Sequence, residues 1–358
     1  MKAAPCFAAV AVIGAAIVAI SGCGSTGPAP VASSIPVPAP ATPPAKWLYV
    51  DHNGTFYQYS LPLAANTKPV RTLTEWPGLG LAPEIAVAPN GDVALASPHA
   101  IRIFAPPILS FDPKDVKLAI RLTPAITEIG AAGADLVDME YDPNGNLWLL
   151  NDLGAEISQL AAPLSKGEPA ALTLGFGAPG SKTAGYASLN QARFDVNATL
   201  YVYASSATRS RLFKLSFPYA KQPSSLGIDV AQADFVDSSQ YLPTNGNPAD
   251  LLLGQYTGPL HSPKPGSPPS PPVDEMSQFS QPFNPQKGLF PDDVTDTVAG
   301  ALIADPPRER FYTLRLDDGE LDVYGLPLRG GAEPVIGLPC LAGAANCNNV
   351  GEHAFLAP

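Results

Sequence analysis

Residues 46–358 are organised as short apolar stretches broken at regular intervals by turn-forming residues. A strand, a tight turn and a second strand recur as one unit. It reads EIAVAPNGDVALAS from Glu84, DMEYDPNGNLWLLND from Asp138, QARFDVNATLYVYAS from Gln191 and, more loosely, ALIADPPRERFYTLR from Ala301. In the second copy Pro143 presets φ for the turn, Gly145 accepts positive φ, and Asp142 can bond nearby amides. After the turn, aliphatic residues alternate with aromatics, as in Leu147-Trp148-Leu149, Leu200-Tyr201-Val202 and Phe311-Tyr312, which suits a pleated surface.

Two further strands follow each unit. Third strands read FYQYSL near Tyr57, IRIFAP near Ile103, RLFKLSF near Phe213 and LDVYGLPL near Tyr324. Fourth strands read KPVRTL at 68–73, EPAALTL at 168–174 and EPVIGL at 333–338. Four antiparallel strands per repeat define a propeller blade. The units start at Glu84, Asp138, Gln191, Ala301 and His353, spaced by 54, 53, 110 and 52 residues. The long spacing is two periods, so a further blade is expected to start near residue 245, with NPADLLLGQY (247–256) as its first strand and a Pro-rich surface insertion near 257–290. The first repeat, KWLYVDHNGTFYQYS, begins at its second strand, and GEHAFLAP (351–358) resembles the run at 83–89. The expected fold is all-β: a six-bladed β-propeller of four-stranded antiparallel blades, its ring closed by the C-terminal strand, which removes an exposed edge.

Composition narrows the class. Of 358 residues 46% are hydrophobic, enough for a core, and 15% are charged; the net charge of −11 and the lack of a basic stripe argue against nucleic acid as a partner. The first 22 residues read as an export signal, with Lys2 ahead of an apolar run from Phe7 to Ile20 that is short for a membrane span. Ile20-Ser21-Gly22-Cys23 resembles the lipobox of bacterial lipoproteins. That resemblance implies lipidation of Cys23, cleavage before it and stable membrane anchoring. With Gly24 rather than Asp next, it implies the outer membrane if the source is Gram-negative. The alternatives are an ordinary signal peptide or an uncleaved anchor. Residues 23–45 continue from the cysteine as an uncharged Pro/Ala/Ser spacer. Cys6 leaves with the signal, so Cys340 and Cys347 remain, and an exported protein favours a disulfide between them over a metal site.

The strand and turn pattern resembles NHL-type propellers, the broad group that also resembles streptogramin lyases and gluconolactonases. The segment PVRTLTEWPGLGLAPEIAVAPNGDVALAS carries the resemblance most clearly, and its extent is about 46–235 and 296–358. It implies the fold and leaves the function open, because scaffolds, sensors and enzymes share it. The metal-binding residue sets of the two enzyme branches do not fall on matching positions here.

In such a fold the first strands line the central channel. Glu84, Asp138, Gln191, Ala301 and His353 occupy one repeated slot, a position commonly Gly in the NHL-like pattern, and Asp250 is the candidate from the degenerate blade. Glu140 and Arg193 lie two residues further along the same face and can form an ion pair. Two readings stay open: a hydrated channel mouth, or a site for a small ligand or a divalent cation such as Ca or Mg, formed by Glu84, Asp138, Glu140, Gln191, Arg193, Asp250 and His353. Asp142, Asp195 and Asp305 are expected to be structural hydrogen-bonders. No catalytic residue is assigned, and no nucleophile elbow, phosphate loop or zinc motif is present. The expected function is a membrane-anchored, extracytoplasmic, monomeric binding or scaffold module for a protein, glycan or small ligand. The alternative is a metal-dependent lyase or lactonase with its site at the channel mouth.

Overall fold

A computed structural model describes residues 45–52, 55–74, 84–97, 100–122, 136–151, 156–167, 169–176, 184–186, 188–194, 198–206, 210–215, 219, 224–230, 239–244, 247–257, 274–280, 293–295, 299–315, 319–325, 333–340 and 354–357. The expected signal, the linker up to residue 44, Cys347 and His353 lie outside them. Among the described residues, 24 strands pair into six four-stranded antiparallel sheets.

The first sheet holds β1 (Trp47–His52), β2 (Thr55–Ser60), β3 (Arg71–Thr74) and, from the far end of the chain, β24 (Ala354–Ala357), in the order β24-β1-β2-β3. The second runs β4 (Ile85–Val87), β5 (Val93–Ser97), β6 (Ala100–Phe104), β7 (Val116–Arg121). The third runs β8 (Leu136–Tyr141), β9 (Leu147–Asn151), β10 (Glu156–Leu160), β11 (Leu172–Gly175). The fourth runs β12 (Ser188–Phe194), β13 (Leu200–Ser205), β14 (Ser210–Leu215), β15 (Ser224–Val230). The fifth runs β16 (Ser239–Thr244), β17 (Asn247–Thr257), β18 (Asp274–Ser280), β19 (Asp293–Thr295), and the sixth β20 (Ala299–Asp305), β21 (Arg310–Arg315), β22 (Leu321–Gly325), β23 (Ile336–Leu338). The leading strands abut in a cycle, β4 on β8, β8 on β12, β12 on β16, β16 on β20, β20 on β24 and β24 on β4, which is a propeller arrangement.

Packing explains the sequence pattern. The first, second and third sheets are each sandwiched between two others, and both of their faces are apolar. Trp148 and Leu150 face the fourth sheet with Leu200, Val202 and Phe213, while Leu147 and Leu149 face the second with Ala94, Ile101 and Ile103. Leu48 and Val50 pack on Ile303, Tyr312 and Val323 of the sixth sheet. Tyr49 and Phe56 turn the other way, onto Val93, Leu95 and Phe104. A strand covered on both sides reads as a continuous apolar run such as LWLL, not as apolar–polar alternation. The seam between the chain termini is packed equally well: β24 pairs with β1 from Trp47↔Ala357 to Val50↔Ala354, and Phe355 stacks on Tyr49 with centroids 4.8 Å apart.

The hairpins between first and second strands all turn at one end of the sheets, here the turn end. Asp142 organises one of them: its Oδ1 accepts from the amides of Asn144 (2.9 Å) and Asn146 (3.0 Å), and its Oδ2 from Asn146 Nδ2 (2.7 Å) and Trp148 Nε1 (3.1 Å). Asp305 repeats the device, accepting from Arg308 (2.8 Å) and Tyr312 Oη (3.1 Å). Asp195 lies outside the described residues. One residue in each of four turns adopts positive φ: Gly91 (85°), Gly145 (84°), Ala198 (58°) and Glu309 (51°).

The fifth sheet differs from the sequence expectation. Its leading strand is Ser239–Thr244, and NPADLLLGQY lies in the second strand, β17. The inner strand escaped notice because SQYLPT has little apolar pattern and contains Pro243, which sits where the pairing register with β17 shifts and no ladder donor is needed. Asp250 therefore does not share the slot of Asp138. The stretch assigned wholly to an insertion, 257–290, contains β18; its Pro-rich part lies outside the described residues.

Glu309 is an exposed non-glycine residue in the left-handed region, a conformation that costs an L-residue roughly 1–2 kcal/mol. Glu309→Gly should raise unfolding stability by about 0.5–1 kcal/mol after the added chain entropy of glycine is subtracted. Urea denaturation measures it; no gain, or a loss, would mean that the turn is unstrained.

Candidate inner-strand site

The leading strands carry a polar cluster that bridges three sheets. Their register begins with a recurring irregularity: pairing shifts between Leu136 and Asp138 in β8, between Leu189 and Gln191 in β12, and between Ala299 and Ala301 in β20. Asp138, Gln191 and Ala301 are thus structurally equivalent, each the first residue after a bulge. Glu84 immediately precedes β4, and its carbonyl accepts from the Ala96 amide at 2.9 Å.

Asp138 reaches across to the fourth sheet. Its Oδ2 accepts from the Ala192 amide and from Arg193, both at 2.7 Å, and its Oδ1 accepts from the Met139 amide at 2.9 Å. Arg193 also donates to the Ala192 carbonyl at 2.6 Å and lies 3.6 Å from Glu140. Glu84 adds a further attraction on the guanidinium. The side chain of Asp138 is buried, and those of Arg193 and Glu140 are partly so. Gln191 is half-buried on β12, opposite Tyr203. Nothing is described of the side chain of Asp250, and His353 precedes the described strand β24. Sequence reasoning placed Asp138, Glu140 and Arg193 on one face. It missed the Ala192 amide and the bulge, neither of which leaves a mark in residue type.

Burial sets the electrostatics. It pushes the Asp138 carboxyl up, against the pull of Arg193 and the two amides. It pushes Glu140 up to about 7, with the charge of Asp138 adding to the effect and Arg193 opposing it. Arg193 is itself disfavoured by burial, but attraction to Asp138 and Glu140 outweighs this and holds its proton more firmly than usual. The donor set does not fit a divalent cation: both Asp138 oxygens are engaged, and a guanidinium occupies the space between the carboxylates. Among the described residues, no three His, Cys, Asp or Glu side chains form a group that could hold a metal ion.

No family model and no curated protein matches the chain. It is similar to the solved structure of a protein of unknown function from Bacteroides caccae, with 10% identity over 86% of this chain and 98% of that one and a TM-score of 0.51. Lower TM-scores relate it to Kuenenia stuttgartiensis hydrazine synthase (8% identity, 78% of this chain, 74% of that one, 0.49) and to a putative 6-phosphogluconolactonase from Bacteroides fragilis (10%, 87%, 84%, 0.48). At such identities a likeness concerns the fold alone. By its sheet pairing and ring of leading strands, the chain is a β-propeller protein.

Because burial raises Glu140, the folded protein binds its proton more tightly than the unfolded chain does. The folded state is therefore favoured by protonation, and stability falls as pH rises from about 4.5 to about 7. Relative to Glu140→Gln, the natural chain should lose urea stability across that window and run parallel above it. Identical pH profiles for the two chains would refute the raised pKa.

Proposed function

We propose that the chain is an exported lipoprotein, anchored through Cys23 and held off the membrane by residues 24–45, whose NHL-type six-bladed propeller is a binding or scaffold module for a protein, glycan or small ligand. The lipobox-like Ile20-Ser21-Gly22-Cys23 and the uncharged Pro/Ala/Ser stretch after it support the anchor. In the oxidising compartment this implies, Cys340 and Cys347 form a disulfide. The observation that carries the binding reading is the use made of Asp138. Its oxygens hold two sheets together through Arg193 and the Ala192 amide, as a rigid support requires. Asp138 cannot serve as a metal ligand or general base without giving up these bonds, so the lyase or lactonase alternative is the weaker reading.

Two measurements test it. Labelled palmitate should enter the natural chain and not Cys23→Ser; equal labelling of both, or of neither, would remove the anchor. The mature protein, prepared without chelators, should hold no stoichiometric divalent metal. One tightly bound equivalent, lost in Asp138→Asn or Glu84→Gln, would overturn the binding reading in favour of a metal-dependent enzyme.

A further inference from the structure

Ala45 and Lys46, the two residues that lead into β1, are tied to the body on three sides. Lys46 donates to the Ala357 carbonyl at 2.8 Å, and its own carbonyl accepts from the Leu61 amide at 2.9 Å. The Ala45 carbonyl accepts from Arg308 at 2.5 Å. These two residues thus touch the end of β24, the residue after β2 and the turn of the sixth sheet, the parts that meet at the seam of the ring.

Of these bonds only the one from Arg308 is made by a side chain. Arg308 ends a short 3-10 turn, Pro306–Arg308, between β20 and β21, and its guanidinium lies 2.8 Å from Asp305. Asp305 is buried and also accepts from Tyr312 at 3.1 Å. The other aspartate turn has no such reach. The side-chain bonds of Asp142 described above stay within residues 142–148, whereas Arg308 bonds a carbonyl 263 residues away in the chain. Asp305 meets Tyr312 seven residues on, where Asp142 meets Trp148 six residues on, so the sixth-sheet turn is one residue longer. A guanidinium presents several donors in a fixed fork, which lets Arg308 hold the Asp305 carboxylate and the Ala45 carbonyl together.

The bond that follows Lys46 has a particular place in the sequence. Lys46 is exposed, and no Lys or Arg lies between it and Lys2. Trp47, the next residue, is the first of β1 and pairs with Ala357 on one side and Ser60 on the other. A cut between Lys46 and Trp47 would therefore remove everything ahead of the propeller and leave every strand in place. A protease takes its substrate as an unpaired, extended segment. The Lys46–Trp47 bond is thus reached only when residues 45–47 fray from the seam.

We propose that residues 45–46 are a strap latched by Arg308, and that the latch controls release of the propeller by hydrolysis of the Lys46–Trp47 bond, carried out by a protease selective for basic residues. Water is the co-reactant: the peptide bond breaks, Lys46 keeps the new carboxylate and Trp47 gains the new amino group. The latch stands on the bonds described; that the cut frees the body from a membrane rests on the lipoprotein reading above. With the latch closed, the exposed Lys46 is cleaved slowly, because a chain end that is tied down resists nicking. With the latch broken, the strap frays more often, and cleavage follows the population of the frayed form.

Limited trypsin digestion of the full chain tests this, with mass spectrometry of the product that begins at Trp47. Cleavage after the exposed Lys166, between β10 and β11, is the internal reference. Arg308→Ala should speed cleavage after Lys46 about tenfold, the effect of losing one charge-assisted hydrogen bond, and leave cleavage after Lys166 unchanged. Arg308→Lys keeps the charge beside Asp305 without the fork and should show the same selective gain to a smaller degree. Tyr312→Phe removes a bond to the same carboxylate but none to the strap, and should change neither site. Equal cleavage after Lys46 in the natural and Arg308→Ala chains would overturn the latch. So would faster cleavage at both sites, which signals general opening, or a gain in Tyr312→Phe as large as in Arg308→Ala, which assigns the protection to the turn. Absence of palmitate from Cys23 in the natural chain would instead overturn the lipoprotein reading and leave the latch to the digestion result.

Discussion

A sheet that is apolar on both faces, as the third sheet is, needs a neighbour on each. That constraint shapes the rest. Trp148 points one way from β9 and Leu149 the other, and both are fully buried. A linear stack would leave two apolar faces in water at its ends, and a closed ring leaves none. The chain closes its ring by giving β24, its last strand, to the sheet that β1 begins, so that Phe355 stacks on Tyr49 and meets Phe56 at the seam. The two ends of the sequence thus supply parts of a single sheet.

The same constraint explains the polar cluster. Leading strands converge, so a carboxylate on one of them lies within reach of the next strand's backbone. Asp138 meets the Ala192 amide in that way, and Arg193 neutralises what would otherwise be a buried charge. Glu140 shares the guanidinium less closely, at 3.6 Å against 2.7 Å, and burial pushes its carboxyl up to about 7. An ion pair of this kind fixes the relation of neighbouring sheets more than it adds stability.

Legibility in the sequence followed local chemistry. Asp142, Pro143 and Gly145 announced their turn because each supplies something the backbone there requires, and the Asp305 turn repeats the hydrogen-bonding role with Tyr312 where Trp148 serves in the other copy. The strand Ala354–Ala357 was visible through its likeness to the run before Pro89. The bulges at the head of β8, β12 and β20 were not visible, since one extra residue changes neither composition nor period. The inner strand Ser239–Thr244 was hidden by its own polarity and by Pro243. Asp250 was misplaced as a consequence, because the strongest apolar run of that repeat belongs to the second strand. Side chains could be assigned to a shared face from spacing alone, but the partner of Asp138 was a backbone amide, which no pattern of residue types encodes.

The turn end and the channel answer to different demands. One exposes Val70 and Val335 near the place where Ala45 meets the sixth sheet, and the other gathers buried charge where the leading strands meet. Both depend on the ring being closed, since the seam that completes the first sheet also holds Ala45 against the sixth. The most direct test is the unfolding of the full chain beside one lacking residues 351–358. If β24 closes the ring, the truncated chain should unfold at a distinctly lower urea midpoint, with early loss of amide protection in β1 and β4. An unchanged midpoint and unchanged protection in those strands would contradict closure.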